Sequence, residues 1–381
     1  MTESTGPEPD DPGCFAVVTG GGTAGHVLPA LAVAEALVAA GRAPGEIHYV
    51  GSRRGIETRL VPETGHGRTF LDVVGVQRSL SRRNLAFLPK MLRARRAALG
   101  LLRELRPRVV VSVGGYASLP AVLAARSLGI PVVVVSYDRR PGRASQLAAR
   151  FAAASAVAFE GSSLPRAVVT GAPIRRSVLQ VDRDRDRTAA RRRLGLPVDR
   201  FVVAVMGGSL GSGVLNAQID AHLREHRADA GLAVRQVAGE RFVDDVARIE
   251  PPDGSDGVLH QVIGYESDMA AVYAAADLLV GRGGASTVHE VAVTGVPSVL
   301  VPWSGAADDH QRGNVEWLRE VGGAVMLGEG ELGRLGAEIE RLRADPDARR
   351  ALERAARARG EVHRSGAMAG LIERVAVVSG G

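Results

Sequence analysis

The chain makes the same structural move twice. An apolar run at 15–19 (FAVVT) ends in a glycine-rich turn at 20–25 (GGGTAG) and enters a helical stretch; near the middle, 201–206 (FVVAVM) runs into 207–213 (GGSLGSG). A β-branched run that ends in glycines and opens a helix is the first half of a βαβ unit and a ready site for an anion. Further apolar runs fall at 47–51, 68–74, 109–113, 132–136 and 166–170, then at 233–237, 258–262, 277–280 and 298–301. Helical patterns lie between them, at 28–40, 84–105, 118–128, 143–153, 286–294 and 309–320. Near-continuous apolar strands separated by helices predict parallel sheets covered on both faces. The fold class expected is α/β: two Rossmann-like doubly wound parallel-sheet domains facing across a cleft, with ligands at the carboxyl ends of the strands.

At 381 residues the chain is too long for one ordinary core. The dense charge run at 180–198 (QVDRDRDRTAARRRLGLPV) interrupts the pattern and reads as a linker. The boundaries expected are an acidic, Pro-rich disordered tail over 1–13, an N-terminal domain over 14–179, the linker, a C-terminal domain over 199–360, and a last helix within 361–381 that packs back on the first domain. The tail has no apolar core and does not read as a signal peptide. Cys14 is the only cysteine, which excludes a disulfide framework. No run of about 18 apolar residues lacks charge, so nothing is expected to span a membrane.

Four glycine turns follow apolar strands, at 20–25, 114–115, 207–213 and 281–284. Repetition at strand ends favours a diphosphate ligand held largely by backbone N–H groups. Gly20, Gly22 and Gly25 satisfy GxGxxG, which alone suggests a dinucleotide. An NAD site needs an acid after the second strand, where this chain has Gly51-Ser52-Arg53; an NADP site with Arg53 or Arg54 on the 2′-phosphate stays open. No GK[ST] follows any glycine turn, so a Walker-type site is excluded. Glu290 sits on the helix after 281–285, where a carboxylate can accept both hydroxyls of a ribose; a solvated helix glutamate is the plain alternative.

Two metal look-alikes are discounted. Asp182-Arg183-Asp184 resembles a DxD but lies in the charge run. His222-Leu-Arg-Glu-His226 matches the HxxEH spacing, yet no third ligand is evident in so polar a segment, which reads as a solvated helix face. No metal and no cofactor is expected. Residues 78–108 hold ten basic residues against one acid, Glu104, with Leu85, Phe87, Leu88, Met91 and Leu92 among them. That mixture fits an anionic membrane surface. Neither a nucleic-acid fold motif nor a set of stacking aromatics is present, so no nucleic-acid partner is expected.

TGGGTAGHVLPALAVAEAL (19–37), VGGYASLPAVLAARSLGIPVV (113–133), GGSLGSGVLN (207–216), DMAAVYAAADLLVGRGGASTVHE (268–290) and DDHQRGN (308–314) together closely resemble the MurG family of glycosyltransferases. The resemblance spans about 15–360. It implies the GT-B fold and an inverting transfer of N-acetylglucosamine from UDP-N-acetylglucosamine to a muramoyl-pentapeptide diphospho-undecaprenol lipid, in peptidoglycan synthesis at the cytoplasmic face of the membrane. It implies that Glu290 binds the ribose, that Ala285, Ser286, Thr287, Val288 and His289 line the donor with backbone N–H groups near the sugar and phosphate, and that Ser209 and Arg175 meet a phosphate. It implies that Gln311, with Asp309 and His310, holds sugar hydroxyls, and that the Glu266 backbone reads the uracil edge. Thr23, Ala24 and Gly25 approach the donor diphosphate or the acceptor, with His26 beside them.

The family's His-Glu-Gln-Asn run is here Ser136-Tyr137-Asp138-Arg139, and its two following asparagines are Ser145 and Ala172. These departures cluster on the acceptor side and leave open a paralogue with another acceptor, Arg139 being a candidate contact there. In the mechanism implied, an acceptor hydroxyl displaces UDP while loop N–H groups, Ser209 and Arg175 stabilise the leaving diphosphate. His26 is the first candidate for the general base, since imidazole titrates near neutrality; Asp138 is the second.

Overall fold

In the computed structural model the described residues are 13–73, 87–208, 211–252, 256–306 and 309–378. They form two compact units, one of residues up to 137, 141–173 and from 366 on, the other of 138–140 and 174–365.

The first unit holds a seven-stranded parallel sheet. Its strands are β1 (Ala16–Thr19), β2 (Ile47–Ser52), β3 (Gly67–Leu71), β4 (Val109–Ser112), β5 (Val132–Ser136), β6 (Ala154–Val157) and β7 (Ala167–Val169), in the order 3-2-1-4-5-6-7. The connecting helices are α1 (Ala24–Ala39), α2 (Glu57–Leu60), α3 (Phe87–Leu105), α4 (Leu119–Ser127) and α5 (Arg143–Ala149). Valines dominate the central strands and are buried from both sides, as a sheet covered by helices requires. On α3, Ala94, Ala98 and Leu102 recur every fourth residue and face the core, while Arg93, Arg96 and Arg103 are exposed. The basic segment is therefore also a core helix over its described part; 78–86 lie outside the described residues. No helix among the described residues is long and apolar enough to cross a membrane.

The second unit begins with α6 (Arg176–Leu179) and α7 (Arg183–Arg193). Its six-stranded parallel sheet comprises β8 (Phe201–Met206), β9 (Leu232–Val237), β10 (Leu259–Ile263), β11 (Leu278–Arg282), β12 (Ser298–Val301) and β13 (Val325–Met326), in the order 10-9-8-11-12-13. The remaining helices are α8 (Gly213–Glu225), α9 (Met269–Ala275), α10 (Ala285–Thr294), α11 (His310–Arg319), α12 (Leu335–Ala344) and α13 (Pro346–Gly360); the last, α14 (Ala367–Val378), belongs to the first unit and packs on α1. In both sheets the strand order reverses where the glycine turns lie: between β1 and β4, and between β8 and β11. These reversals are the points at which doubly wound sheets bind ligands.

The predicted linker at 180–198 is corrected. Most of it is α7, packed on α9 within the second unit. Asp182 caps it by accepting from the Arg185 N–H. Arg191 is 1% exposed; it pairs with Asp277 at 2.6 Å and donates to the carbonyls of Ala275, Val198 and Arg200. Arg183, in the discarded DxD, donates to the Ala276 carbonyl and pairs with Glu353 at 2.9 Å. Breaking one partner of such a buried pair typically costs about 3–5 kcal/mol.

A buried polar chain crosses the second sheet. His260 Nε2–H donates to Gln236 Oε1 (2.9 Å), Gln236 donates to Asn216, and the Ile249 N–H donates to His260 Nδ1 (3.0 Å). Both ring nitrogens are committed to the neutral form, and burial pulls the His260 pKa down to about 4. The unfolded chain takes up this proton near 6.5, while the folded chain resists until about 4. The contribution is complete above pH 6.5 and is lost as pH falls towards 4, at about 1.4 kcal/mol per pH unit. We expect His260 alone to remove about 2 kcal/mol between pH 6.5 and 5, measured by denaturant unfolding at each pH against His260→Gln. Equal pH slopes for the two proteins would remove His260 from the account.

Candidate donor and acceptor sites

In the first unit, β1 delivers the glycine turn to a pocket of about 380 Å³ lined by Gly22, Thr23, His26, Ser52, Arg54 and Tyr116 among others. The turn is held from within. Glu57, fully buried, accepts from the Ser52 N–H at 2.7 Å and the Gly22 N–H at 3.2 Å. Tyr49 donates to the Gly20 carbonyl at 2.5 Å. Glu57 therefore takes the Gly22 N–H that an anion in the turn would use, which leaves the start of α1 as the part of the turn open to a ligand. Arg53 donates to the Phe70 carbonyl and exposed Arg54 faces Asp72 at 3.5 Å. What opens to the pocket is the N-terminal end of α1, where Thr23 makes no side-chain cap; its carbonyl takes the His26 and Val27 N–H groups, and the helix start keeps the positive end of the dipole.

His26 stands in that first turn. Tyr137 donates its hydroxyl proton to the Gly25 carbonyl, and the same oxygen lies 3.2 Å from His26 Nδ1. A hydroxyl has one proton. With that proton on Gly25, the Tyr137 oxygen accepts from Nδ1–H, and Nε2 is the ring's lone-pair nitrogen. This is the tautomer a general base needs. Gly115 (φ 75°) closes over the ring: a Cβ there would lie 2.7 Å from the Gly21 carbonyl oxygen and 3.0 Å from His26 Cδ2. Tyr137 was not among the residues singled out by sequence; the only signal was its place in the altered 136–139 run.

In the second unit, α10 starts at the end of the central strand β11 with no side-chain cap at Gly284. Its partly exposed face carries Ser286, Thr287 and Glu290, whereas Ala285, Val288 and His289 are buried. Helical periodicity leaves Ala285, Val288 and His289 only their backbone to offer a ligand, while Ser286, Thr287 and Glu290 can also offer side chains. The His289 ring meets His363 Nε2 at 3.1 Å and stacks edge-on against Trp317, so its side chain is core. Glu290 is not the solvated helix residue of the plain alternative. Tyr273 donates to its Oε2 at 2.6 Å, and Arg175 stands 3.4 Å from its Oε1. Burial, with Glu290 next, holds the Tyr273 phenol well above its ordinary value, so it stays a donor. Arg175 Nε is buried with no hydrogen-bond partner among the described residues.

Gln311, on α11, accepts from the Trp303 N–H at 2.9 Å. Asp309 precedes it in a left-handed conformation (φ 52°) and pairs with Arg312; His310 opens the helix between them. Gly283 lets α11 approach, since a Cβ there would lie 2.5 Å from Val315 Cγ2. Asp138 and Arg139 group with this unit, where Asn314 donates to Asp138 Oδ1 at 3.1 Å and accepts from the Arg139 N–H at 2.9 Å. Arg139 also faces Glu320 at 3.5 Å. These contacts give both residues a share in holding α11. Glu266 lies just past β10 and accepts from Arg235 (2.7 Å) and from the Asp268 N–H (2.8 Å). Ser209 lies outside the described residues.

Sequence reasoning missed Arg282. It is buried, donates to Ser212 Oγ at 3.1 Å and pairs with Glu329 at 2.8 Å, tying the 207–213 turn to the end of the sheet. The HxxEH reading also changes: His222 is buried, and Glu340 supplies the third polar group that the segment lacked.

Two doubly wound parallel sheets with glycine turns at both reversals make the GT-B fold, and the domains that match make it a glycosyltransferase. Residues 16–157 match the glycosyltransferase family 28 N-terminal domain, and 202–368 match its C-terminal domain. The UDP-N-acetylglucosamine–N-acetylmuramyl-(pentapeptide) pyrophosphoryl-undecaprenol N-acetylglucosamine transferase of Desulforudis audaxviator is 35% identical, covering 94% of this chain and 98% of the relative. Its Acidothermus cellulolyticus counterpart is 40% identical over 83% and 85%. The crystal structure of Acinetobacter baumannii MurG superposes with a TM-score of 0.67 at 25% identity, covering 95% of this chain and 98% of that one. The chain belongs to the MurG family.

Proposed function

We propose that the chain transfers N-acetylglucosamine from UDP-N-acetylglucosamine to the muramoyl-pentapeptide diphospho-undecaprenol lipid, with inversion at the anomeric carbon. The observation that carries this reading is Glu290: a carboxylate oriented by Tyr273 and Arg175, about one and a half helical turns from the uncapped start of α10. That spacing suits a ribose diol on Glu290 and a diphosphate at the helix N-terminus, the donor chemistry in the relatives' name. Ser286 and Thr287 line the diphosphate with their backbone N–H groups, as does Ala285 through its backbone. Arg175 turns its unpartnered Nε to a phosphate, with Ser209 assisting. Gln311, Asp309 and His310 take the sugar hydroxyls, and the backbone at Glu266 reads the uracil.

The first unit serves the acceptor. Its hydroxyl loses a proton to His26 Nε2 as the bond to UDP breaks, and Thr23, Ala24 and Gly25 meet a phosphate at the start of α1. The exposed arginines of α3 rest on the anionic cytoplasmic face of the membrane. The altered 136–139 run favours a second reading, in which the same donor serves another acceptor.

Both readings meet in one assay, UDP release from UDP-N-acetylglucosamine with the lipid acceptor in anionic vesicles. Release that depends on this lipid supports the first reading; release only with another acceptor supports the second; none with any acceptor refutes the transferase. In the same samples, Arg93→Ala/Arg96→Ala/Arg103→Ala is expected to lower co-sedimentation with the vesicles. Equal sedimentation would reject α3 as the membrane face.

A further inference from the structure

We propose that His222, His226 and Glu340 form a binding site for a zinc-class divalent cation that staples α8 to α12. The two histidines lie one turn apart at the end of α8, with ring centroids 4.3 Å apart. His222 Nε2 and His226 Nε2 are 3.5 and 3.9 Å from Glu340 Oε1, and the three ligand atoms lie within 4.8 Å of one another. Those separations are too long for good hydrogen bonds. Both His222 Nε2 and Glu340 Oε1 are buried with no hydrogen-bond partner among the described residues. A buried nitrogen and a buried carboxylate oxygen that face each other unbridged are costly. Zinc bonds of about 2.0–2.2 Å at a tetrahedral angle place ligand atoms about 3.4 Å apart; His222 to Glu340 is already at 3.5 Å, and His226 must draw in to complete the set.

The surroundings prepare the ligands. His226 Nδ1 lies 2.9 Å from the His222 carbonyl oxygen. Only Nδ1–H can make that bond, so Nε2 carries the lone pair a metal takes. His222 packs against α12, where a Cβ at Gly336 would lie 3.1 Å from its Nδ1. Glu340 Oε2 faces Arg343 at 3.7 Å, and Arg343 is itself paired with Asp229. The site also sits at the negative end of the α8 dipole, which favours a cation. Two imidazoles and a carboxylate suit zinc better than magnesium or calcium. The 13 residues of α8 place it about 20 Å along the helix from the 207–213 turn. The role inferred is structural: the cation fixes the far end of the helix that presents that turn.

The test uses tag-free, chelator-washed protein titrated with zinc against a chromophoric chelator. One equivalent is expected to bind, with a Tm rise of about 5 °C at a hundredfold excess over Kd and no comparable response to magnesium. His222→Ala risks the fold, so Glu340→Gln and His226→Gln carry the test. Each is expected to weaken zinc at least about tenfold while the zinc-free protein keeps its Tm and its UDP affinity. Absence of saturable binding below about 100 µM, or binding unchanged in both variants, overturns the site.

Discussion

His26→Gln is expected to lower kcat by about 10²–10⁴-fold, the usual span for removing a general base, with little change in UDP affinity. The expectation rests on the proton arrangement of the first unit. Tyr137 gives its proton to Gly25, receives one from His26 Nδ1, and so leaves the basic electron pair on Nε2. Tyr137→Phe tests that arrangement separately. It removes the acceptor for Nδ1–H without touching the ring, so kcat is expected to fall about tenfold and the acid limb of the kcat profile to move. A purely structural tyrosine would alter Tm and leave that limb in place. Unchanged turnover in His26→Gln would exclude His26 as the base.

The alternation of β-branched runs with helical stretches made the two sheets legible, because buried parallel strands need valine and isoleucine on both faces. β6 escaped: Ala154–Val157 is built of alanine and serine, which carry little strand signal, and its pairing with β5 and β7 decides its state. The charge run at 180–198 misled for a related reason. Arginines count as solvent-facing until their partners are known, and Asp277, Glu353 and the Ala275 and Ala276 carbonyls come from distant elements. The glycine turns were legible as strand-to-helix turns at the sheet reversals, but not Glu57 inside the first of them, since nothing between 51 and 57 announces that the carboxylate folds back on Gly22. Likewise His222 and His226 carried a motif whose third member stands on α12. Pairings across long sequence separations are what a single sequence hides, and sites are made of them.

Glu290→Gln is expected to weaken UDP-N-acetylglucosamine by about 10–100-fold, the worth of one charged hydrogen bond to the ribose. The conservative variant matters here. Glu290→Ala would also strip Tyr273, fully buried, of its acceptor. An orphaned buried hydroxyl costs about 1–3 kcal/mol of stability, which would confound a binding loss with a folding loss. Glutamine keeps the side-chain volume and one oxygen for the Tyr273 hydroxyl, so Tm is expected to hold. It loses the charge that Arg175 faces at 3.4 Å and that accepts strongly from a diol. Calorimetry separates the contributions: UDP and UDP-N-acetylglucosamine should weaken alike, because both carry the ribose, whereas Gln311→Ala should weaken only the nucleotide sugar. Wild-type UDP affinity in Glu290→Gln would reject the ribose assignment. The carboxylate would then serve only to hold Tyr273 and Arg175 in place, and the donor reading would have to stand on the α10 N-terminus alone.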